Sequence, residues 1–430
     1  MTIEQLYQIY LQFPNVCTDT RKINKGCLFF ALKGDNFDGN TFAEKAIADG
    51  AEFAIVDDSS YKVNEKCIVV ADVLSTLQSI ASHHRDQLKI PFIGITGTNG
   101  KTTTKELLNS VLSQQFKTYA TVGNLNNHIG VPLTILAIGN DTELAIIEMG
   151  ANHQKEIAFL SSIAKPSHGL ITNVGKAHLE GFGGFEGVKI GKGELYDFLK
   201  ATNGTVFINS ANPHLTEMSS RRNLQNTITY AGEDSQVKGE IAENNPYLVV
   251  TWQYKLNKYT VKTNLTGVYN LENILAAITV GIHFGLSEET INKGIESYVP
   301  GNNRSQITKT TSNTLICDYY NANPSSMAVA LDNFSKLAAE NKVIILGDMF
   351  ELGDESAGEH LTVLRKAAEI DALKIFIGKE FTKNDGTFDA TFFQSTQQAA
   401  EYIEGLNLKN ATILIKGSRG MKLESLVNLL

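Results

Sequence analysis

The chain has 430 residues, of which 42% are hydrophobic and 20% charged, with a formal net charge of −8. A length beyond the roughly 250–300 residues at which single cores stop growing implies two or three domains, and the ordinary composition excludes disorder and low complexity. The acidic balance without a Lys/Arg block argues against a nucleic-acid surface. No apolar run nears the ~20 residues of a membrane span, and Met1–Leu11 lacks a signal-like pattern, so small-molecule partners and a cytoplasmic address are expected.

Residues 1–88 carry two short apolar runs, Cys27–Leu32 and Ala54–Val56, with a helical stretch at Thr41–Ala48 between them, which suggests a small α/β domain. From residue 89 strand-like and helix-like segments alternate. The apolar run Ile90–Ile95 leads into Gly97-Thr98-Asn99-Gly100-Lys101-Thr102 and a helical run at Thr103–Ser113. Strands at Leu144–Met149, Gly169–Val174 and Val206–Asn209 then alternate with helices at about His153–Ala164 and Gly187–Lys200. This is the pattern of a parallel sheet covered on both faces. It breaks between Gln236 and Thr263, where Leu248–Trp252 and Tyr259–Val261 flank a polar turn, as in an antiparallel hairpin appended to the edge. Helical runs return at Leu271–Phe284 and Glu288–Tyr298, and Pro300-Gly301-Asn302-Asn303 reads as a linker.

Beyond the linker, apolar runs at Leu315–Cys317, Val343–Leu346, Ile375–Ile377 and Ile413–Ile415 alternate with helical stretches such as Glu359–Ala368 and Gln397–Leu406. The reading is therefore an α/β chain of three domains. A small α/β domain spans 1–88, a doubly wound domain of phosphate-loop ATPase type with an antiparallel edge spans 89–300, and a Rossmann-like domain spans 301–430. Cys17, Cys27, Cys67 and Cys317 show no zinc-type pairing and are too few for a disulfide framework.

Chemistry gathers at the first strand-to-helix turn. Backbone amides and the positive end of the helix dipole suit phosphate oxygens, Lys101 adds a point charge, and Thr102 offers a hydroxyl to magnesium. The strict phosphate-loop pattern wants a glycine where Ile95 stands, so Gly97 supplies the turn instead. Glu148 ends a buried strand, where doubly wound sheets place their ligands, and suits a metal; a capping role explains it equally on local grounds. His178 follows in the glycine-bearing loop Asn173–Gly181, beside Glu180. A lone histidine is usually structural, but at this edge of the sheet it suits a second metal, and two cations suit chemistry at a γ-phosphate.

Thr96–Thr103, Gly123-Asn124-Leu125-Asn126-Asn127, Glu148-Met149-Gly150, Asn173-Val174 with His178, and Gly267–Asn273 together resemble the Mur ligase family of ATP-dependent amide-bond-forming enzymes, over essentially the whole chain. The resemblance accounts for the displaced glycine. It implies that Gly97, Thr98, Asn99, Gly100, Lys101, Thr102 and Thr103 hold the ATP phosphates. It further implies that Asn270 and Asn273 approach the adenine, and that Arg304 and Asp318 reach ATP from the C-terminal domain.

Thr102, Glu148, His178 and Lys192 are the implied holders of magnesium, as two ions, with Lys192 carbamylated into an anionic oxygen ligand; Lys101, His178 and Lys192 are the implied catalytic set. Without the family, Lys192 reads as an unmodified helix lysine. Asp318–Met327, Gly347–Gly353 and Lys416–Arg419 resemble the branch that adds D-Ala-D-Ala to a UDP-N-acetylmuramoyl-tripeptide; a sibling acting on another amino acid or a folate-like acid is the nearest rival.

Substrate contacts are then implied at Thr20, Arg21, Lys33, Gly34 and Asp38 for the uridine diphosphate end, and at Asn124, Asn127, Asn321, Asn323, Ser325 and Asp348. Asn323 and Ser325 read equally well as helix-capping residues, and Asp348 as an acid near a helix start. Two departures stand out: Asn303 precedes Arg304 where the family usually has glycine, and Tyr319 follows Asp318 where it usually has serine. A monomer is expected.

Overall fold

A computed structural model describes every residue from Met1 to Leu430. The chain opens on helix α1 (Ile3–Gln12), started by a capping box in which Thr2 and Gln5 satisfy each other's amides. A parallel sheet of β1 (Val16–Cys17), β2 (Leu28–Phe30), β5 (Phe53–Val56) and β6 (Cys67–Val69) follows. The hairpin β3 (Lys33–Gly34) and β4 (Phe37–Asp38) and helix α2 (Ala43–Ala48) lie between β2 and β5. Helix α3 (Val73–Gln87), capped by Asp72, ends this segment.

The central sheet is built from β7 (Phe92–Thr96), β8 (Thr118–Ala120), β9 (Leu144–Glu148), β10 (His168–Ile171), β11 (Thr205–Asn209), β12 (Thr227–Tyr230), β13 (Val237–Asn244), β14 (Leu248–Tyr254) and β15 (Asn257–Lys262). They lie in the order β15-β14-β13-β12-β11-β10-β7-β9-β8, parallel from β8 through β13 and antiparallel across β13, β14 and β15. Helices α4 (Lys101–Leu112), α5 (Gly130–Leu136), α6 (Glu156–Ala164), α7 (Leu179–Phe182), α8 (Phe185–Ala201), α9 (Pro213–Arg222), α10 (Asn270–His283) and α11 (Glu288–Ser297) cover it.

Alternation along the strands sorts side chains to the two faces. Ile93, Ile95, Leu144 and Ile146 meet α4, α10 and α11, whereas Phe92, Ala145 and Ile147 meet the opposite layer. That opposite core does not stop at the central sheet. It runs without a break from Leu6, Tyr7 and Tyr10 of α1, through Leu77 and Ile80 of α3, to Leu160, Leu195 and Met218. Polar groups pin the same seam: Tyr10 Oη donates to Leu136 O at 2.6 Å, and Arg85 donates from Nε to Ala164 O and from Nη2 to Lys165 O, both at 2.8 Å, capping the C-terminal end of α6.

The C-terminal sheet comprises β16 (Gln306–Lys309), β17 (Thr314–Asp318), β18 (Asn341–Gly347), β19 (Leu373–Ile377), β20 (Thr391–Phe393) and β21 (Ala411–Lys416), in the order β16-β17-β21-β18-β19-β20 with only β16 antiparallel. Helices α12 (Pro324–Lys336), α13 (Ser356–Ala368), α14 (Lys379–Thr382) and α15 (Thr396–Leu406) complete it, with separate cores on its two faces.

The three-part α/β architecture matches the reading from sequence, with local differences. The helix expected from His153 begins at Glu156, because Lys155 adopts a left-handed backbone. The strand expected to reach Val174 ends at Ile171, because Thr172 and Asn173 turn to grip the phosphate loop. The expected hairpin is a three-stranded edge, and α9 and β12 fill a stretch to which the periodicity assigned nothing.

Candidate active site

The carboxyl ends of β7 and β9 in the central sheet and of β17 and β21 in the C-terminal sheet open on one cavity of about 940 Å³. This is where open α/β sheets bind ligands. At its floor is the turn between β7 and α4. Gly97 has φ +142°, and a Cβ there would overlap Thr172 Oγ1; Gly100 has φ +79° and lies against Asn273. Both conformations favour glycine.

The loop's own amides divide into two sets. Thr98 N–H donates to Asn173 O at 2.9 Å and Asn99 N–H to Asn173 Oδ1 at 3.0 Å, so these two brace the loop. The first-turn amides of α4, with no carbonyl a turn before them, are the ones left to a phosphate. Lys101 Nζ lies over the loop, donating to Gly97 O at 2.7 Å and Thr98 O at 2.9 Å. Burial holds its ammonium down to about 8, with Glu148 opposing that shift and Arg304 adding to it.

Glu148 is buried at the end of β9 and held on both oxygens: Thr102 Oγ1 donates to Oε2 at 2.9 Å and Asn126 Nδ2 to Oε1 at 2.8 Å. Its backbone amide donates to Thr121 Oγ1 at 3.0 Å. No three His, Cys, Asp or Glu side chains converge into a metal cage. The paired Thr102 hydroxyl and Glu148 carboxylate suit magnesium, which takes one or two protein oxygens and completes its shell with water and phosphate. Asn126 was not singled out from sequence, although it lies within the quoted run Gly123–Asn127.

His178 has a left-handed backbone (φ +50°), as has Glu351 (φ +62°), and His178 Nδ1 meets a carboxylate oxygen of Glu351. Burial lowers the His178 imidazole below its ordinary range, against the pull of Glu351. Lys192, on α8, is buried. Its Nζ donates to Ala151 O at 3.0 Å and stands 4.9 Å from the centroid of the Phe182 ring. Burial, then the charge of Lys101, push its amine far below the usual lysine range.

Asn270 and Asn273 are buried beneath the loop. Asn273 Oδ1 accepts from Thr104 Oγ1 at 3.0 Å, Asn273 Nδ2 donates to Asn270 Oδ1 at 2.8 Å, and Asn270 Nδ2 donates to Thr266 O at 2.8 Å. Both line the cavity while bracing the loop.

From the opposite side, Asp318 Oδ2 accepts from Lys416 Nζ at 2.6 Å. The Arg304 guanidinium lies over the Tyr320 ring at 4.0 Å. Lys416, Tyr320 and Tyr269 line the cavity and are further residues for which sequence reasoning gave no role. Lys416 at least stands in the quoted run Lys416–Arg419.

Asn124, Asn321 and Ser325 also line the cavity, although Ser325 Oγ accepts from Lys176 N at 3.0 Å. Asn323 caps α12 through Ser326 N at 2.9 Å and donates to Asn99 Oδ1 at 2.8 Å. Asn127 Oδ1 accepts from the Gly130 amide at 2.8 Å, at the start of α5.

Asp348 does not line this cavity. It is buried, with Oδ2 accepting from Glu380 N at 2.9 Å and Oδ1 from Phe381 N at 3.0 Å, contacts that anchor the start of α14. Thr20, Arg21, Lys33, Gly34 and Asp38 lie on the N-terminal domain outside this cavity. There Arg21 pairs with Asp19, Lys33 Nζ with Asp57 at 2.8 Å, and Asp38 caps the following turn.

Comparison with known proteins follows the same three parts. Residues 12–85 match the model described as Mur ligase family, catalytic domain; residues 95–281 match the Mur ligase middle domain, and residues 303–419 the Mur ligase, glutamate ligase domain. The chain is 34% identical to a UDP-N-acetylmuramoyl-tripeptide–D-alanyl-D-alanine ligase of Bacillus subtilis, covering 96% of this chain and 92% of that one. It is also 34% identical to the Escherichia coli protein of the same name, covering 96% and 93%. A crystal structure of MurF from Acinetobacter baumannii superposes with TM-score 0.88 at 31% identity, covering 99% and 98%. MurF from Thermotoga maritima in complex with ADP shares the fold, with TM-score 0.86 at 24% identity over 97% of each chain. A phosphate loop backed by Thr102 and Glu148, facing Arg304 and Asp318 across one cavity, thus stands on a chain whose length is matched domain by domain, and the protein belongs to the Mur ligase family of ATP-dependent ligases.

Proposed function

We propose that the protein joins D-Ala-D-Ala to the terminal carboxylate of UDP-N-acetylmuramoyl-tripeptide, with ATP converted to ADP and phosphate, in peptidoglycan synthesis. The observation that carries the reading is the pairing of Thr102 with Glu148 behind the phosphate loop, opposite Arg304 and Asp318 on the same cavity.

The tripeptide carboxylate oxygen attacks the γ-phosphorus and the bond to the ADP oxygen breaks, leaving an acyl phosphate. The dipeptide amine, having lost a proton, then attacks the acyl carbon. The tetrahedral intermediate collapses with the C–O bond to phosphate breaking and the amide formed. Positioning and charge neutralisation dominate such a reaction. Lys101 and the first amides of α4 hold the phosphates, Arg304 supplies charge from the far wall, and Asp318, fixed by Lys416, orients the nucleotide. Asn124, Asn321 and Ser325 face the peptide substrates, and the N-terminal residues Thr20, Arg21, Lys33, Gly34 and Asp38 take the uridine diphosphate end.

Thr102 and Glu148 would hold one magnesium ion and His178, with a carbamylated Lys192, a second; magnesium supplies charge neutralisation at the phosphates. Burial favours the neutral form of Lys192, which adds to carbon dioxide, forming an N–C bond and releasing a proton. Domain closure about Pro300–Asn303 completes the site and excludes water from the acyl phosphate. The segments 1–88, 89–300 and 301–430 then serve sugar nucleotide, ATP and dipeptide in turn. No helix is long and apolar enough to cross a membrane, consistent with soluble substrates.

The test is phosphate release with ATP, UDP-N-acetylmuramoyl-tripeptides ending in lysine or meso-diaminopimelate, and D-Ala-D-Ala. Turnover that needs all three substrates is expected. Turnover with another amino acid or a folate-like acid in place of D-Ala-D-Ala overturns the assignment, and so does ATP hydrolysis indifferent to the amine.

A further inference from the structure

Three consecutive residues of the connection into the C-terminal domain are held one by one at the end of β17. Asn303 Oδ1 accepts from Tyr319 Oη at 3.2 Å. The Arg304 guanidinium stacks on the Tyr320 ring at 4.0 Å. Ser305 N–H donates to Asp318 Oδ1 at 3.2 Å, while its hydroxyl meets Tyr269 Oη of the central domain. Tyr319 is itself only 8% exposed and packs in the core that includes Cys317 and Leu423, so folding fixes where its hydroxyl points.

Asn303 has φ +56°, a left-handed backbone that asparagine adopts more readily than most L-residues. Asparagine at such a turn brings a side chain whose orientation something must settle, and Tyr319 settles it. Arg304 follows directly in the chain. Its Nε is buried without a hydrogen-bond partner, so the Tyr320 stack and the backbone at 303 set the direction of its guanidinium. A rotation at 303 would swing the guanidinium within the cavity.

We infer that Asn303 and Tyr319 are a coupled pair of positioning residues: the Tyr319 hydroxyl fixes the turn at Asn303, and that turn aims Arg304 at the phosphates of the bound nucleotide. The inference rests on the reading of the cavity as the ATP site.

Steady-state kinetics and urea unfolding of Tyr319→Phe, Asn303→Gly, Asn303→Ala, the double variant Asn303→Gly/Tyr319→Phe, and Arg304→Ala test it. Loss of one hydrogen bond predicts a roughly 3- to 10-fold rise in KM for ATP in Tyr319→Phe, with KM for the UDP-linked acid unchanged. In the Asn303→Gly background the same change has less than about 2-fold effect, because the coupling partner is gone. Asn303→Ala raises KM for ATP more than Asn303→Gly, since alanine carries the backbone strain that glycine avoids. Additive losses in the double variant, or a Tyr319→Phe protein that melts earlier with its KM for ATP unchanged, overturn the pair while leaving the ATP site standing. An Arg304→Ala protein with unaltered KM for ATP and kcat sinks the reading of the cavity, and the inference with it.

Discussion

Asn323 Nδ2 donates to Asn99 Oδ1 at 2.8 Å, so the capping residue of a C-terminal helix touches the phosphate loop of the central domain directly. The same side chain has two jobs, one within α12 through Ser326 N and one across the cavity. Substitution separates them. Asn323→Asp keeps a good N-cap but removes the donor to Asn99, so stability should hold while KM for ATP rises about 5-fold. Asn323→Ala should lose the cap as well and unfold about 1 kcal/mol more easily in urea. Equal kinetics in wild type and Asn323→Asp would show that the contact across the cavity has no part in nucleotide binding.

Lys192 is buried against Ala151 O and the Phe182 ring, and burial favours the neutral amine that carbamylation needs. A carbamate carbon signal should appear in the protein equilibrated with ¹³C-bicarbonate and be missing in Lys192→Ala. That variant should lose at least ~100-fold in kcat, on the scale of removing one electrostatic stabiliser from an enclosed site. Bicarbonate should not rescue it, whereas a small carboxylic acid should do so in part. A fully active Lys192→Ala protein would refute the assignment.

Asp348 holds two backbone amides at the start of α14, and both of its oxygens are spent there. Asp348→Ala should therefore cost about 2–4 kcal/mol in urea unfolding, the scale of losing charged acceptors from two buried donors. KM for D-Ala-D-Ala should stay within about 2-fold under conditions where the variant is folded. A stable variant with a greatly raised KM for the dipeptide would return Asp348 to the substrate site.

His168 stands at the start of β10 with its ring 5.1 Å from that of His283, and burial, helped by the second imidazole, holds it down to about 4. A folded-state value below the unfolded one means that the unfolded chain takes up the proton first as pH falls. Stability supplied by the neutral ring is thus complete above the unfolded value and is lost as pH falls towards the folded one. Between pH 7 and pH 5 wild type should lose about 2 kcal/mol more than His168→Gln, which cannot titrate there. Urea midpoints at the two pH values measure this, and parallel curves for the two proteins would contradict it.

What could be read from the sequence was what local backbone chemistry dictates. Gly97 and Gly100 mark the loop because only glycine takes those conformations there, and Glu148 is marked by the buried strand that carries it. Asn126, Tyr269, Tyr320 and Lys416 were missed as site residues because their placement depends on contacts between distant parts of the chain, such as Lys416 with Asp318. Asp348 carried two readings for a related reason. An acid after a β-strand looks the same whether it faces a cavity or turns to the next helix, and here the amides that follow Gly378 decide. The extent of α3 and its role were equally hidden, since its apolar positions pack into a core completed by a sheet that comes later in the chain.

That shared core has a mechanical meaning. With Leu6, Leu77 and Ile80 packed into the same interior as Ile147 and Leu160, and Arg85 bonded to the end of α6, the N-terminal and central domains are joined through one continuous core. Under the proposed function, the end of the molecule that takes the sugar nucleotide is set against the phosphate loop once, during folding, so the entropy of aligning those two sites is not lost again at each turnover. Under the same proposal, the face that delivers the amine is the one that has to travel.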